Sequence, residues 1–204
     1  MSEIPSIIRV LIAEDDALER SAIAELLSSL GHLVVAEVET GTEAIECARQ
    51  LMPDAVLLDM HMPGASGVQA AEGIAQALPG TAVVLITGDL SLSLSTADVT
   101  RSTAVALLPK PTPPTTLDAT LRMAVSHARE LVDAKREASE ARQQLESRKL
   151  IERAKGILMR RTGTSEQEAY RIMQRSSQDR SMRMVEIARA VIDSEPGMKS
   201  SGTG

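Results

Sequence analysis

The stretch Val56-Leu57-Leu58-Asp59-Met60-His61-Met62-Pro63-Gly64 joins an apolar run to one carboxylate and then to a Met-Pro-Gly turn. This pattern predicts a buried strand that ends at Asp59. In open α/β sheets, ligands bind at the carboxyl ends of the strands. A carboxylate in that position can act as a nucleophile toward a phosphoryl group. Asp59 is therefore the first candidate for a functional residue.

Apolar runs and helical patterns alternate on both sides of this stretch. Strands are predicted at residues 10–13, 33–38, 55–59, 81–87 and 105–108. Amphipathic segments lie between them, and a weaker pattern predicts a short helix over 91–103. Strands that are almost wholly apolar indicate a parallel sheet covered on both faces. The predicted fold class is α/β, a five-stranded doubly wound parallel sheet in a first domain of residues 1–114.

A long helix is predicted to follow. No Pro or Gly occurs between Pro114 and Gly156, so nothing in the sequence obliges a helix over 115–161 to break. Apolar residues recur by four and three at Leu117, Leu121, Ala124, Ala128 and Leu131. This spacing is typical of a coiled-coil seam, which predicts a homodimer held by residues 115–161. The alternative is one long helix packed on its own body.

The rest of the chain is predicted to be all-α. Residues 115–144 extend the last helix of the first domain as a coiled-coil linker, and residues 145–194 form a small three-helix domain. Its later helices are predicted at 165–177 and 182–194, with Ser165 and Glu168 as a capping box. Residues 195–204 are rich in Gly and Ser and are predicted to be a disordered tail.

The composition excludes several classes of protein. Cys47 is the only cysteine, so the chain forms no intramolecular disulfide, and a reducing compartment is the simplest interpretation. Glu3 and Pro5 stand where a signal peptide would be basic and then apolar. No apolar run reaches the roughly 20 residues of a membrane helix. We therefore expect a cytoplasmic protein. Tyr170 is the only Phe, Tyr or Trp, which excludes an aromatic cage or a series of stacked bases.

Charge is distributed unevenly along the chain. Residues 1–130 hold 7 basic and 17 acidic residues, a net charge of −10, whereas residues 131–204 hold 15 basic and 11 acidic residues, a net charge of +4. An acidic body with a basic C-terminal part indicates that only the C-terminal part meets a polyanion.

Five polar residues lie at or just after the ends of the predicted strands. Glu14 and Asp15 end the first strand and Asp59 ends the third, which are neighbours in a doubly wound sheet. Three adjacent carboxylates repel one another, and Mg²⁺ relieves that repulsion while keeping water and phosphate ligands. Thr87 offers a hydroxyl after the fourth strand, and Lys110 offers a point charge suited to phosphate after the fifth.

Glu14-Asp15, Asp59, Thr87 and Lys110-Pro111 resemble the receiver domain of two-component response regulators in identity, order and spacing, over residues 8 to 128. The resemblance implies that Asp59 accepts phosphate from a histidine kinase. The protein would then be an acceptor without separate substrate turnover, and not an enzyme.

The same resemblance assigns the other roles. Mg²⁺ would be held by Glu14, Asp15, Asp59 and the backbone carbonyl of His61. Lys110 would contact the phosphate and precede a cis peptide bond, and Thr87 would move toward the phosphoryl group as the switch. Receivers usually carry an aromatic residue three positions before the lysine, where this chain has Leu107. The usual relay from threonine to an aromatic ring is therefore altered here.

The C-terminal module is basic, with 11 basic and 6 acidic residues between positions 145 and 190. A basic stripe beside an apolar one lets a helix pack and still face phosphates, whereas the simpler alternative is a solvated helix face. The candidate RNA-binding residues are Arg148, Lys149, Lys155, Gly156, Arg160, Arg161, Arg175 and Arg180.

The module's motifs are Arg148-x-x-Ile151-x-x-Ala154-Lys155-Gly156-Ile157-Leu158-Met159, Ser165-x-x-Glu168-Ala169-Tyr170 and Val185-x-x-Ala188. They resemble the ANTAR domain of transcription antitermination regulators. The resemblance implies a three-helix module that binds RNA stem-loops and prevents a terminator hairpin from forming.

Two alternatives remain at this point. Val185-Glu186-Ile187-Ala188 is similar to the start of a DNA-binding helix-turn-helix motif, although a recognition helix would have to follow it. The C-terminal part could also serve only for dimerisation.

Overall fold

The structure is a computed structural model that describes residues 6–88 and 106–195. The chain divides into two compact units, Met1–Lys135 and Arg136–Gly204. The helix predicted over 91–103 and the tail from residue 196 onward lie outside the described residues.

The first unit contains a five-stranded parallel sheet. The strands are β1 (Arg9–Ala13), β2 (Leu33–Val38), β3 (Ala55–Asp59), β4 (Ala82–Thr87) and β5 (Ala106–Pro109). Their order in the sheet is β2-β1-β3-β4-β5, which confirms the predicted doubly wound fold. Ala13 pairs with Leu58, so the carboxyl ends of β1 and β3 are adjacent.

Helices cover both faces of this sheet. They include α1 (Ala17–Ser29), α2 (Gly41–Leu51) and α3 (Gly67–Ala77). Side chains alternate along each strand, so Val10 and Ile12 face one core while Leu11 and Ala13 face the other. The central strands β1, β3 and β4 are therefore buried on both sides, which explains their nearly continuous apolar sequences, whereas the edge strands β2 and β5 are partly exposed.

A long helix, α4 (Pro114–Thr162), follows β5. Its first turns belong to the core of the first unit, where Leu117, Leu121, Ala124 and Ala128 are buried against the sheet. These four residues are therefore not the intermolecular seam that their spacing predicted. The same four-three spacing arises when a helix packs on its own domain, and burial in that core leaves them no surface for a partner.

A polar contact fixes the start of α4. Asp118 accepts hydrogen bonds from Nε2 of the buried His32, at 2.9 Å, and from Nε of Arg122, also at 2.9 Å. His32 Nδ1 in turn accepts from the backbone N–H of Ile8 at 3.4 Å, which leaves the proton on Nε2.

In the second unit, the last turns of α4 pack with α5 (Glu166–Asp179) and α6 (Met184–Asp193). The core consists of Ala154, Ile157, Met173, Ile187, Ala188 and Ile192. Gly163 lies beyond the end of α4 with φ +68°, a left-handed conformation that favours glycine. Ser165 then caps α5 by accepting from the backbone N–H of Glu168. Within the ranges that the structure covers, no helix has the length and apolar character needed to span a bilayer.

Candidate functional site

Three carboxylates meet at the carboxyl ends of β1 and β3. Glu14 and Asp15 follow β1, and Asp59 is the last residue of β3. Each offers an oxygen, and these oxygens lie within 4.8 Å of one another. Glu14 and Asp59 are buried, whereas Asp15 is exposed. The structure therefore brings together the acids that the sequence singled out, and an all-carboxylate donor set suits a hard divalent cation such as Mg²⁺.

Lys110 reaches into this cluster from the end of β5. Its Nζ lies 2.5 Å from Oε2 of Glu14 and 2.7 Å from Oδ1 of Asp59. A third carboxylate, Glu19 on α1, places Oε2 2.7 Å from the same Nζ. The Lys110–Pro111 peptide bond is cis, as predicted.

The charge of Lys110 is secured by these contacts. Burial alone would lower the pKa of Lys110, but its hydrogen bonds to Asp59, Glu14 and Glu19 outweigh that effect and raise the pKa above its usual value. Lys110 therefore remains a cation at physiological pH.

The pKa of Glu14 reflects the crowding of negative charge in the acid cluster. Burial raises the pKa of Glu14, the hydrogen bond from Lys110 opposes this, and the nearby charge of Asp59 adds to the rise. The backbone carbonyl of Glu14 also accepts from Nη1 of Arg20 at 2.6 Å. A divalent cation placed among these carboxylates would relieve the remaining repulsion.

The loop after β3 holds Asp59 in place. Oδ2 of Asp59 accepts from the backbone N–H of His61 at 2.7 Å, so hydrogen bonds orient both of its oxygens. At Gly67 a Cβ atom would lie 2.2 Å from the backbone oxygen of Asp59 and 3.0 Å from Cα of Met60. Only glycine fits there, because the start of α3 packs directly on the backbone of the acceptor residue. The role predicted for the His61 carbonyl stays a prediction.

The predicted switch residues lie on β4 and β5. Thr87 is 2% exposed, and its backbone carbonyl accepts from the N–H of Lys110 at 2.7 Å. Leu107 is 39% exposed. The structure thus joins the threonine to the lysine through the backbone, and the movement predicted for the threonine side chain stays a prediction.

The basic residues of the second unit fall into two groups. Six of the predicted RNA-binding side chains are exposed, namely Arg148, Lys149, Arg160, Arg161, Arg175 and Arg180. Arg160 pairs with Glu195 at 3.1 Å, and Arg161 donates to Oγ of Ser194 at 3.0 Å. Lys149 pairs with Glu146 at 2.8 Å. These contacts lie at the surface, where ion pairs are weak and easily exchanged.

Lys155 differs from the other cations because it is buried. Its Nζ lies 2.9 Å from Glu152 on the same helix and 2.6 Å from Glu166 on α5. Hydrogen bonds to both carboxylates raise the pKa of Lys155. Lys155 therefore links α4 to α5, a role that sequence reasoning missed. The acids at positions 152 and 166 were the available signal, since one is three residues away on the same helix and the other opens the next helix.

Gly156 lies next to Lys155 on α4. A Cβ atom at this position would have one neighbour within 4 Å among the described residues, Nη1 of Arg160 at 3.7 Å. The packing of the unit therefore does not require a glycine here, although glycine weakens a helix by about 1 kcal/mol relative to alanine.

A parallel sheet with three acids and a lysine at one edge defines the class of receiver domains. The family model "Response regulator receiver domain" matches residues 10–122, and "ANTAR domain" matches residues 139–192. The chain therefore belongs to the response regulators and carries an ANTAR domain after its receiver.

Individual relatives agree with this assignment. The chain is 37% identical over 189 residues to the transcriptional regulatory protein PdtaR of Mycobacterium tuberculosis. The matched region covers 91% of this chain and 89% of PdtaR. The signal receiver domain of a modulated diguanylate cyclase from Desulfovibrio desulfuricans is 30% identical, with a TM-score of 0.53 over 60% of this chain and 97% of that one. The receiver domain of the sensor histidine kinase PA1611 from Pseudomonas aeruginosa shares the fold, with 23% identity and a TM-score of 0.53. The match covers 59% of this chain and 98% of that one. The structure of the PA1611 domain has a magnesium ion coordinated in its active-site cleft.

Proposed function

We propose that this response regulator accepts a phosphoryl group on Asp59 from a histidine kinase, with Mg²⁺ as cofactor, and that it binds structured RNA in transcription antitermination. One observation carries the first part: the Lys110 ammonium lies 2.7 Å from Asp59 within a cluster of three acids. That arrangement supports the roles of nucleophile for Asp59, of metal ligands for the three acids and of phosphate-binding cation for Lys110.

The transfer follows from these positions. A carboxylate oxygen of Asp59 attacks phosphorus, an O–P bond forms, and the N–P bond of the donor phosphohistidine breaks with its electron pair going to the imidazole nitrogen. The N–H of His61 and the ammonium of Lys110 hold the carboxylate in one orientation. Lys110 then neutralises part of the phosphoryl charge. Mg²⁺, when bound by Glu14, Asp15 and Asp59, would neutralise more of it. The chain is the acceptor and turns over no separate substrate.

Labelling tests this proposal. Acetyl phosphate with Mg²⁺ should label the full chain, and Asp59→Asn should remove the label. Asp15→Asn should remove the dependence on Mg²⁺, while Glu25→Gln, an exposed acid on α1, should label like the parent. Equal labelling of parent and Asp59→Asn would refute the assignment of the acceptor.

The ANTAR match and the exposed arginines of the second unit support RNA as the output. Cations that neutralise phosphates supply most of the affinity for a nucleic acid. A single three-helix unit offers few such contacts, and we infer that a homodimer doubles them through α4. Leu131 of the predicted seam and Leu145, further along α4, are 46% and 55% exposed, and both remain available for a partner helix. We place this activity in the cytoplasm, as the sequence predicts.

A binding experiment separates the candidate outputs. The full chain, with and without acetyl phosphate, is titrated with an RNA that carries two adjacent hairpins and with a DNA duplex of matching length. Preference for the RNA supports the proposal, whereas preference for the duplex favours a DNA-binding regulator. Binding to neither would leave dimerisation as the role of the second unit.

A matched pair of variants locates the contact surface. Arg148→Gln should weaken RNA binding and reduce the log-log salt slope by up to about 1. Arg142→Gln, an exposed arginine of the same helix outside the predicted set, should do neither.

A further inference from the structure

Tyr170 is an exposed ring between two clefts of the second unit. It lies on α5, is 44% exposed, and is the only Phe, Tyr or Trp side chain in the sequence. A cleft of about 590 Å³ and another of about 410 Å³ both include it in their linings. An aromatic ring on this surface is not needed for the core, which consists of aliphatic and methionine side chains.

Helical spacing builds the two clefts. On α4 the residues at 144, 148, 151 and 155 follow one another by three or four positions, so they form one stripe. On α5, Gln167, Tyr170 and Gln174 form the facing stripe in the same way. Tyr170 is the one residue common to both clefts, and it therefore stands between them.

Polar groups surround the ring. Gln143, Gln144 and Arg148 line the larger cleft, and Gln167 and Gln174 line the smaller one. A side-chain amide carries both a donor and an acceptor, as the edge of a nucleobase does. Apart from Tyr170 and Ile151, the residues that line these clefts are polar or charged.

The charges around Tyr170 are balanced. Three acids line the two clefts, and two of them, Glu152 and Glu166, share the single ammonium group of Lys155, while the third is Glu140. Arg148 and Arg171, at the larger and the smaller cleft, offset the remaining negative charge, so the two linings together are neutral. A phosphate chain can therefore pass this surface without net repulsion while one of its bases meets the ring.

We propose that Tyr170 is a stacking platform for one unpaired base of the bound RNA. This inference rests on the proposed RNA-binding function and adds the feature of the RNA that is recognised. A paired base has its faces covered within the duplex, whereas a base in a loop can leave the stack and lie on an aromatic side chain. One ring accepts one base, which agrees with the absence of any other Phe, Tyr or Trp side chain from the sequence.

The single tyrosine makes a site-specific test possible. The full chain labelled with 3-fluorotyrosine carries one ¹⁹F nucleus, at Tyr170. The probes are hairpins that share one stem and have loops of only A, C, G or U, together with a blunt RNA duplex of the same stem. A stacked base shifts the ¹⁹F resonance upfield through its ring current. We expect this shift with at least one hairpin and none with the duplex.

Variants provide the second readout. Tyr170→Leu should weaken binding of that hairpin about tenfold and leave duplex binding unchanged, because stacking on one aromatic side chain contributes roughly this factor. Tyr170→Phe should retain most of the affinity, since the ring and not the hydroxyl carries the contact. Met182→Ala, at another exposed apolar side chain of this unit, is the matched control. Circular dichroism checks that each variant is folded.

The failures of the two proposals are distinguishable. If the parent binds the hairpins while its ¹⁹F resonance stays in place and Tyr170→Leu binds equally well, the stacking platform is refuted and RNA binding stands. If the parent binds none of the RNA probes, both are refuted.

Discussion

The ammonium group of Lys110 lies 2.7 Å from Oε2 of Glu19, a residue outside the acid cluster formed at the ends of β1 and β3. Lys110 is thus shared among three carboxylates, two of them buried and one about half exposed. In the proposed phosphotransfer, an incoming phosphoryl group would compete with Glu19 for this cation. We therefore expect Glu19 to lower the rate at which the site is phosphorylated.

Glu19→Gln should accelerate labelling by acetyl phosphate by about two- to fivefold, because an ion pair with one exposed partner is worth at most about 1 kcal/mol. The gain should shrink at high salt, since Glu19 faces solvent. Labelling rates of parent, Glu19→Gln and the control Glu25→Gln, measured at two ionic strengths, check this. Unchanged or slower labelling of Glu19→Gln would count against competition for Lys110.

Gly67→Ala should slow the labelling of Asp59 by about tenfold or more. The new Cβ would meet the backbone oxygen of Asp59, and a displacement of about 1 Å in a reacting group can cost up to about 100-fold. Gly73→Ala is the matched control, because its Cβ would meet the flexible end of Ile45 at 2.7 Å, where a side chain can move aside. Similar rates for the two variants would show that the backbone at position 67 does not set the geometry of the acceptor.

Asp118→Asn should reduce the free energy of unfolding of the receiver by about 1 kcal/mol at pH 7, through loss of charge-assisted hydrogen bonds at a partly exposed site. Hydrogen bonds from Arg122 and His32 hold the pKa of Asp118 below its usual value of 3.8. The folded state thus favours the carboxylate, and this stabilisation is complete above pH 3.8 and is lost as the pH falls through the lower folded value. Calorimetric unfolding of parent and variant between pH 7 and pH 3 should show the two curves converging at the acid end. A difference that stays constant over this range would contradict the linkage.

Leu121→Ala should mainly reduce the stability of the receiver, whereas Leu131→Ala should mainly weaken assembly. Leu121 is fully buried in the receiver core, so its truncation should destabilise the receiver by about 2 to 5 kcal/mol. Leu131→Ala should change stability by less than about 0.5 kcal/mol but should weaken any dimer. Denaturation and sedimentation of both variants test this. A dimer unaffected by changes at Leu131 and Leu145 would place the interface elsewhere.

Most of the receiver follows from the sequence because its central strands are buried on both sides and end at polar residues. The run before Asp59 and the acids after β1 mark both the sheet and its functional edge. The contact between Glu19 and Lys110 is not predictable in this way. Glu19 lies on an exposed first turn of a helix, where acids are common for other reasons.

Periodicity also gives an incomplete account of α4. It predicted the helix well, but a four-three spacing does not say whether a partner helix or the protein's own sheet covers the apolar side. Counting charges along the sequence has a similar limit, as Lys155 shows. A cation counted toward the basic stripe is paired with Glu152 and Glu166 once the helices are packed.

The middle of α4 has a thermodynamic consequence. Residues 134–146 are all exposed, whereas the turns before and after them belong to the two hydrophobic cores. In a single chain this stretch is held by its own backbone hydrogen bonds and by helix-favouring Ala, Glu, Gln, Lys and Arg residues. Its local opening free energy therefore sets the upper limit of the coupling free energy that the helix could pass between the proposed phosphorylation and the proposed RNA binding. Amide hydrogen exchange within 134–146 measures that limit directly, and burial of the stretch by a second copy would raise it.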